Sequence, residues 1–245
     1  MYGVNLSSSE SQRAIVSLNV LFNGMPKPSG CEKCVEINGE NAFWCCKSQS
    51  PSMYYVEFLN VYQEVRKWNK ENRQALLFRS IRNYLDNSIS KGCIFYVDGC
   101  LCYNQRPQIC RNYGVIPQEN WEKRWESLKD HLGDKFNSRP QCNLVTSDIP
   151  ISAKMEDKWF EHTRKCEERL GVPSDQIKLH DEDGGSYRTF HDHLLLEMFD
   201  NARSSVGASL NEDFLSRLTK IKLSNPTKDE IELFIGKLSE ETVPS

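Results

Sequence analysis

Apolar side chains recur at intervals of three to four residues in several stretches of the chain, which is the spacing of one buried helix face. These stretches begin near residues 52 and 71, and others cover 117–133, 152–171 and the region after 226. Ser152 is a predicted N-cap, Gly171 is a predicted helix stop, and Thr227 with Glu230 forms a predicted capping box. The pattern therefore predicts a mainly α fold.

The segments between these stretches contain many Gly, Pro, Asn and Asp residues, which favour turns and short extended pieces. Near the N-terminus, "NLSSSESQ" predicts weak order, and the apolar segment after it is short and interrupted by polar residues. We expect irregular cysteine-rich loops packed against helices near 52–88 and 117–133. Residues 1–180 are expected to form a cysteine-bearing body, and residues 181–245 a helical C-terminal extension.

Charge and hydropathy exclude some classes of partner. The chain of 245 residues carries 31 basic and 34 acidic side chains, a formal net charge of -3, so bulk electrostatics do not favour a nucleic-acid partner. No apolar run approaches the ~20 residues that span a bilayer, and no export signal is evident. We therefore expect a cytoplasmic protein that binds neither nucleic acid nor a membrane.

Ten cysteines are many for such a chain, and they are clustered. Disulfides, a buried apolar cluster, a redox pair or a metal site could each explain the clustering. In a reducing compartment, clustered thiols more often bind a metal. The clusters comprise a C-x-x-C pair, a vicinal pair and a later group, namely Cys31 and Cys34, then Cys45 and Cys46, then Cys93, Cys100, Cys102 and Cys110.

Some residues near these clusters have two interpretations. Arg106 and Arg111 lie on either side of Cys110, where guanidinium groups could offset the negative charge of metal-bound thiolates or merely solvate a loop. Cys102 is either a packing residue or an alternative ligand. Cys166 lies on a helical stripe and is expected to pack as a small buried apolar side chain.

The cysteine motifs resemble those of the zinc- or iron-chelating cysteine-cluster family named for its CxxCxxCC signature. "CEKC" and "CC", followed by "CIFYVDGCLCYNQRPQICRNY", are similar to the pattern of its YkgJ-type proteins and, more distantly, of the flagellin lysine N-methylases. The chain departs from the family in the longer gap between the first two cysteine pairs. The resemblance implies a ligand set of eight cysteines: Cys31, Cys34, Cys45, Cys46, Cys93, Cys100, Cys110 and Cys142.

Eight thiolates suit two four-cysteine sites, one multinuclear site, or one site with spectators. An iron–sulfur cluster such as [4Fe–4S] is our first expectation and zinc is the alternative. We expect a redox, sensing or accessory role with a protein or peptide partner. The alternatives are a cluster-dependent, methylase-like enzyme that modifies protein or peptide side chains, and a zinc-stapled interaction module without catalysis. His191, His193 and Glu197 form a less favoured candidate for a metal site.

Overall fold

The computed structural model describes residues 8–29, 33, 43–48, 50–87, 92–117, 119–123, 126, 129, 145–147, 149, 151–173, 177, 186–204 and 209–242. Its helices are α1 (Ser9–Gly24), α2 (Trp44–Ser48), α3 (Tyr55–Val65), α4 (Lys70–Leu85), α5 (Gln108–Asn112), α6 (Ala153–Arg169), α7 (Phe190–Ser204), α8 (Ser209–Leu223) and α9 (Lys228–Thr242). A 3-10 helix covers Tyr103–Gln105, and residues 119–123 are also helical. The strands are β1 (Pro28–Ser29), β2 (Ser52–Met53), β3 (Thr146–Ser147) and β4 (Arg188–Thr189), and β1 pairs with β3 and β2 with β4, both antiparallel. No helix in the described part of the chain combines the length and apolarity needed to cross a bilayer.

The mainly helical fold and several predicted helix ends are confirmed. The Ser152 side chain accepts a hydrogen bond from the Met155 N–H at 3.3 Å and so caps α6. Gly171 follows this helix with a φ of +80°, a conformation that glycine adopts without steric cost. At the start of α9 the Thr227 N–H donates to the Glu230 carboxylate at 2.8 Å and the Glu230 N–H donates to the Thr227 hydroxyl at 3.3 Å, which is the predicted capping box.

The N-terminal segment is more ordered than the sequence predicts. The expectation of weak order is wrong from Ser9 onward, where α1 begins, and the Ser8 hydroxyl caps it by accepting the Ser11 N–H at 3.1 Å. Val16 and Val20 point to solvent and are 60% and 66% exposed, which obscures the helical period in the sequence. The buried face of the helix comprises Ser11, Ala14, Ile15, Leu18 and Phe22.

Helix α3 lies at the centre of the larger of two apolar cores. Every residue from Tyr55 to Val61 is buried, and α1 and α6 both pack against this helix. The cysteine-rich segment contributes Ile94, Phe95 and Cys102 to the same core. Burial of apolar side chains is the main favourable term in folding, so this packing places the cysteine-rich segment against the helical body.

The second core joins α4 to the C-terminal helices. Ile81 and Leu85 of α4 pack with a set of buried residues from α7, α8 and α9, namely Leu195, Leu218, Ile231, Phe234, Ile235 and Leu238. In addition, β2 and β4 pair Met53 with Arg188. These contacts cross the predicted boundary at residue 180, and that boundary stays a prediction.

Candidate metal centre

Six of the described cysteines come from three short segments of chain. Helix α2 carries Cys45 and Cys46, the turn after Gly92 carries Cys93, Cys100 and Cys102, and α5 carries Cys110, none of them in a disulfide. The first two segments meet directly, because the Cys93 N–H donates to the Cys46 carbonyl oxygen at 2.7 Å. This bond joins residues that are distant in sequence.

Gly92 makes that approach possible. A Cβ atom at this position would lie 2.9 Å from the Lys47 carbonyl oxygen, closer than real Cβ contacts come. Only the absence of a side chain lets the two backbones run so close together.

A tight turn shapes the segment that carries Cys93, Cys100 and Cys102. Tyr96 and Cys100 form an isolated antiparallel bridge, and the Leu101 N–H donates to the Phe95 carbonyl oxygen at 3.0 Å. Gly99 has a φ of +150°, which favours glycine over other residues. This turn brings Cys100 and Cys102, which are two residues apart in sequence, close enough for their sulfurs to lie together.

The sulfurs form two close pairs. The Sγ atoms of Cys45 and Cys46 are 4.0 Å apart, and those of Cys100 and Cys102 are 3.9 Å apart. A disulfide needs about 2.05 Å between sulfurs. Two thiolates on one tetrahedral zinc, with Zn–S bonds of about 2.3 Å, lie about 3.8 Å apart. Both pairs therefore have the spacing of two ligands that share one metal ion.

In each pair, the pKa of one thiol is lowered toward neutral pH. Its hydrogen bond with Cys46 lowers the pKa of Cys45 to about 7, and the bond with Cys102 lowers the pKa of Cys100 to about 7. The same hydrogen bonds, together with burial, raise the pKa of Cys46 and of Cys102. In each pair one thiol therefore ionises more readily than its neighbour, and a metal ion that bound both sulfurs would displace their protons.

Cys93 and Cys110 are coupled electrostatically to both pairs. Burial raises the pKa of Cys93 to about 11, and the charges of Cys100 and Cys45 add to the rise. Burial raises the pKa of Cys110 well above its usual value, with contributions from the charges of Cys93, Cys100 and Cys45. The thiols therefore repel one another when ionised, and a bound cation would relieve that repulsion.

Three arginines lie close to the thiols. The charge of Arg106 favours the thiolate forms of Cys100 and Cys110. Arg111 donates from Nε to the Arg106 carbonyl oxygen at 2.8 Å, and its guanidinium stacks 4.3 Å from the centroid of the Phe22 ring. Burial lowers the pKa of Arg111 to about 10, against the opposing charges of Glu57 and Cys110.

The third cation was not singled out by the sequence analysis. The charge of Cys93 acts on Arg79, whose buried Nε has no hydrogen-bond partner within the described residues. Arg79 lies on α4, remote in sequence from every cysteine motif, so nothing in the local pattern marks it.

Cys102 lies beside Cys100, although it was not among the eight expected ligands. Its side chain is 3% exposed and packs into the larger core, and its sulfur faces Cys100. The C-x-C spacing was the available signal, because it places two thiols only two residues apart in sequence. Cys166, by contrast, is 1% exposed within the larger core, as expected of a packing residue.

The described thiols do not by themselves make a complete ligand set. Among the described residues, no three or more Cys, His, Asp or Glu side chains are arranged to hold a metal ion. Three of the eight expected ligands, Cys31, Cys34 and Cys142, lie outside the described residues.

The histidine candidate has other partners. His193 donates from Nε2 to the Met53 carbonyl oxygen at 3.0 Å, and Glu197 accepts a hydrogen bond from the Tyr55 hydroxyl. His191 is buried on the same helix, at 2% exposure. These bonds orient His193 and Glu197 toward the helical body, so they give no support to a metal site here.

We compared the chain with protein-family models, curated proteins and solved structures, and none of the three comparisons produced a significant match. The resemblance to the cysteine-cluster family stays a prediction from the motifs.

Proposed function

We propose that this chain is a metal-binding cysteine-cluster protein, with an iron–sulfur cluster as the expected group and zinc as the alternative. One observation carries the proposal: two thiol pairs have sulfur separations of 4.0 and 3.9 Å, close to those of paired metal ligands. Cys93 and Cys110, coupled to both pairs, supply further donors. The described residues that would hold the metal are Cys45, Cys46, Cys93, Cys100, Cys102 and Cys110.

The donor set fits such a group chemically. Soft thiolates select zinc and iron–sulfur clusters over the hard cations that prefer oxygen ligands. An iron–sulfur cluster would supply electron transfer, and zinc would supply folding energy. The chain itself supplies ionisable thiols in close pairs and nearby guanidinium groups that offset their negative charge.

A partner-dependent redox, sensing or accessory role suits the surroundings of the thiols. Val97, Leu101 and Tyr103 are 45%, 44% and 46% exposed, and they lie in the same turn and 3-10 segment as Cys100 and Cys102. Apolar side chains exposed this close together are a common feature of protein-interaction surfaces. This supports a protein or peptide partner that docks beside the cysteine cluster.

The first test is the metal content of protein purified without oxygen. Iron with acid-labile sulfide and visible absorbance is the expected result, and colourless protein with stoichiometric zinc would select the alternative. Protein that contains neither metal, and takes up neither on reconstitution, would refute the proposal.

Substitutions of single cysteines then test the ligand set. Cys100→Ser and Cys110→Ser are each expected to remove most of the bound metal and to lower the unfolding temperature, because each deletes a thiolate donor. Cys166→Ser is the matched control, since this buried thiol lies in the apolar core and should leave metal content unchanged. Equal metal loss in all three variants would contradict the assignment of these residues.

A further inference from the structure

Helix α5 carries Cys110 and Arg111 but cannot hold its own conformation. It spans five residues, Gln108–Asn112, and its N-cap is Pro107, which makes no side-chain capping bond. Helices this short are unstable in isolation, because nucleation costs more than a single turn returns. The position of Cys110 must therefore be set by contacts from other elements.

Glu57 of α3 supports the N-terminal end of α5. Its carboxylate is 2% exposed and accepts two backbone hydrogen bonds, one on each oxygen. Oε1 accepts the Gln108 N–H at 2.6 Å, and Oε2 accepts the Tyr54 N–H at 2.8 Å. One buried side chain thus links the first residue of α5 to the start of α3, and the charge of Arg111 also acts on it.

Helix α6 supports both ends of α5 from another direction. The Thr163 hydroxyl donates to the Gln108 side-chain oxygen at 2.9 Å. Glu156 accepts the Asn112 side-chain amide on Oε1 at 3.2 Å and the Asn120 amide on Oε2 at 2.8 Å. Glu156 and Thr163 are both 0% exposed, and the bonds to Gln108 and Asn112 form away from water, where loss of a partner is costly.

We propose that Glu57 and Glu156 are positioning residues of the metal centre, which clamp α5 at its two ends and thereby hold Cys110 toward the thiol pairs. The inference rests on the proposed function. Neither carboxylate is a ligand itself. Each acts through α5, as outer residues commonly orient the ligands of a metal site.

Glu57→Gln tests the inference, because Glu57 needs both of its carboxylate oxygens as hydrogen-bond acceptors. An amide has one acceptor oxygen, so its NH₂ group would face either the Gln108 N–H or the Tyr54 N–H. Glu167→Gln is the matched control, because Glu167 is also 0% exposed and accepts a hydrogen bond from the Val56 N–H of α3. Within the described residues Glu167 makes no hydrogen bond to α5, so the control perturbs a buried carboxyl without a direct effect on that helix.

The experiment titrates Co²⁺ into the metal-free full chain under anaerobic conditions, in competition with a chelator. Thiolate-to-Co²⁺ charge-transfer absorbance reports the ligand geometry, and far-UV circular dichroism confirms folding. Glu57→Gln is expected to weaken Co²⁺ binding about ten- to a hundredfold and to shift the charge-transfer band. Glu167→Gln should retain both the affinity and the band of the wild-type protein.

Two results would overturn the inference alone: wild-type affinity and band in folded Glu57→Gln, or equal changes in Glu57→Gln and Glu167→Gln. Should Glu57→Gln not fold, Glu156→Gln replaces it, because its single acceptor oxygen cannot serve the side-chain amides of both Asn112 and Asn120. Glu156→Gln should then weaken Co²⁺ binding, and unchanged binding would overturn the inference. A wild-type chain that takes up neither Co²⁺ nor an iron–sulfur cluster on reconstitution would instead overturn the proposed function and this inference with it.

Discussion

Replacement of His193 by glutamine should make the free energy of unfolding less sensitive to acid pH. His193 is 0% exposed, its ring stacks on Phe58 with centroids 5.1 Å apart, and its Nε2–H donates to the Met53 carbonyl oxygen at 3.0 Å. Its Nδ1 has no hydrogen-bond partner among the described residues. Glutamine can keep a donor for Met53 but does not titrate.

Burial lowers the pKa of His193 from 6.5 to about 4, with the charges of Arg188 and His191 acting in the same direction. Between these pH values the unfolded chain binds a proton that the folded chain does not, so the free energy of unfolding falls as the pH falls. At about 1.4 kcal/mol per pH unit, the free energy of unfolding falls by about 3 kcal/mol over this pH range because of His193. Glu57 and Glu167 act in the opposite sense, because burial raises their pKa values to about 7 and about 8.

Because those carboxyl groups are present in both proteins, the difference in free energy of unfolding between wild type and His193→Gln reports the contribution of the histidine. The assay is urea unfolding followed by far-UV circular dichroism at about pH 7.5 and about pH 4.5. At the higher pH the variant should be less stable by about 1 kcal/mol, because it loses ring packing. The stability difference should shift by about 3 kcal/mol in favour of the variant at the lower pH. A difference that is the same at both pH values would refute the reasoning.

Two further substitutions test the approach of the cysteine segments and the second core. Gly92→Ala would place a Cβ atom 2.9 Å from the Lys47 carbonyl oxygen. This variant should contain less metal, while its far-UV circular dichroism spectrum stays helical. Gly236→Ala is the control, because a Cβ atom at position 236 would have no neighbouring atom within 4 Å. Full metal content in Gly92→Ala would contradict the proposal that this close approach assembles the metal site. Leu218→Ala removes a side chain that is 0% exposed and should cost about 3–5 kcal/mol of unfolding free energy in urea titrations. Leu223→Ala, at an 81% exposed position, should cost under about 0.5 kcal/mol, and similar losses in the two variants would count against the described core.

The helices that the sequence predicts well are those whose signals are local. Helix α6 has its N-cap, its apolar stripe and its glycine stop within one continuous segment, and α9 has its capping box. Helix α1 shows how such signals are lost. Its buried face includes Ile15 and Leu18, but exposed Val16 and Val20 interleave with them, so the segment resembles an apolar run more than an amphipathic helix.

The sequence by itself determined the inventory of this protein: a mainly helical chain, ten cysteines, and the spacings that group them. Only the tertiary structure decided which of the described thiols meet. Cys46 reaches Cys93 through a backbone hydrogen bond that Gly92 permits, and Gln108, at the start of the helix that carries Cys110, donates its N–H to Glu57 of a different helix. Helical period and caps act within a few residues, whereas these approaches depend on how whole helices pack, which no local pattern records.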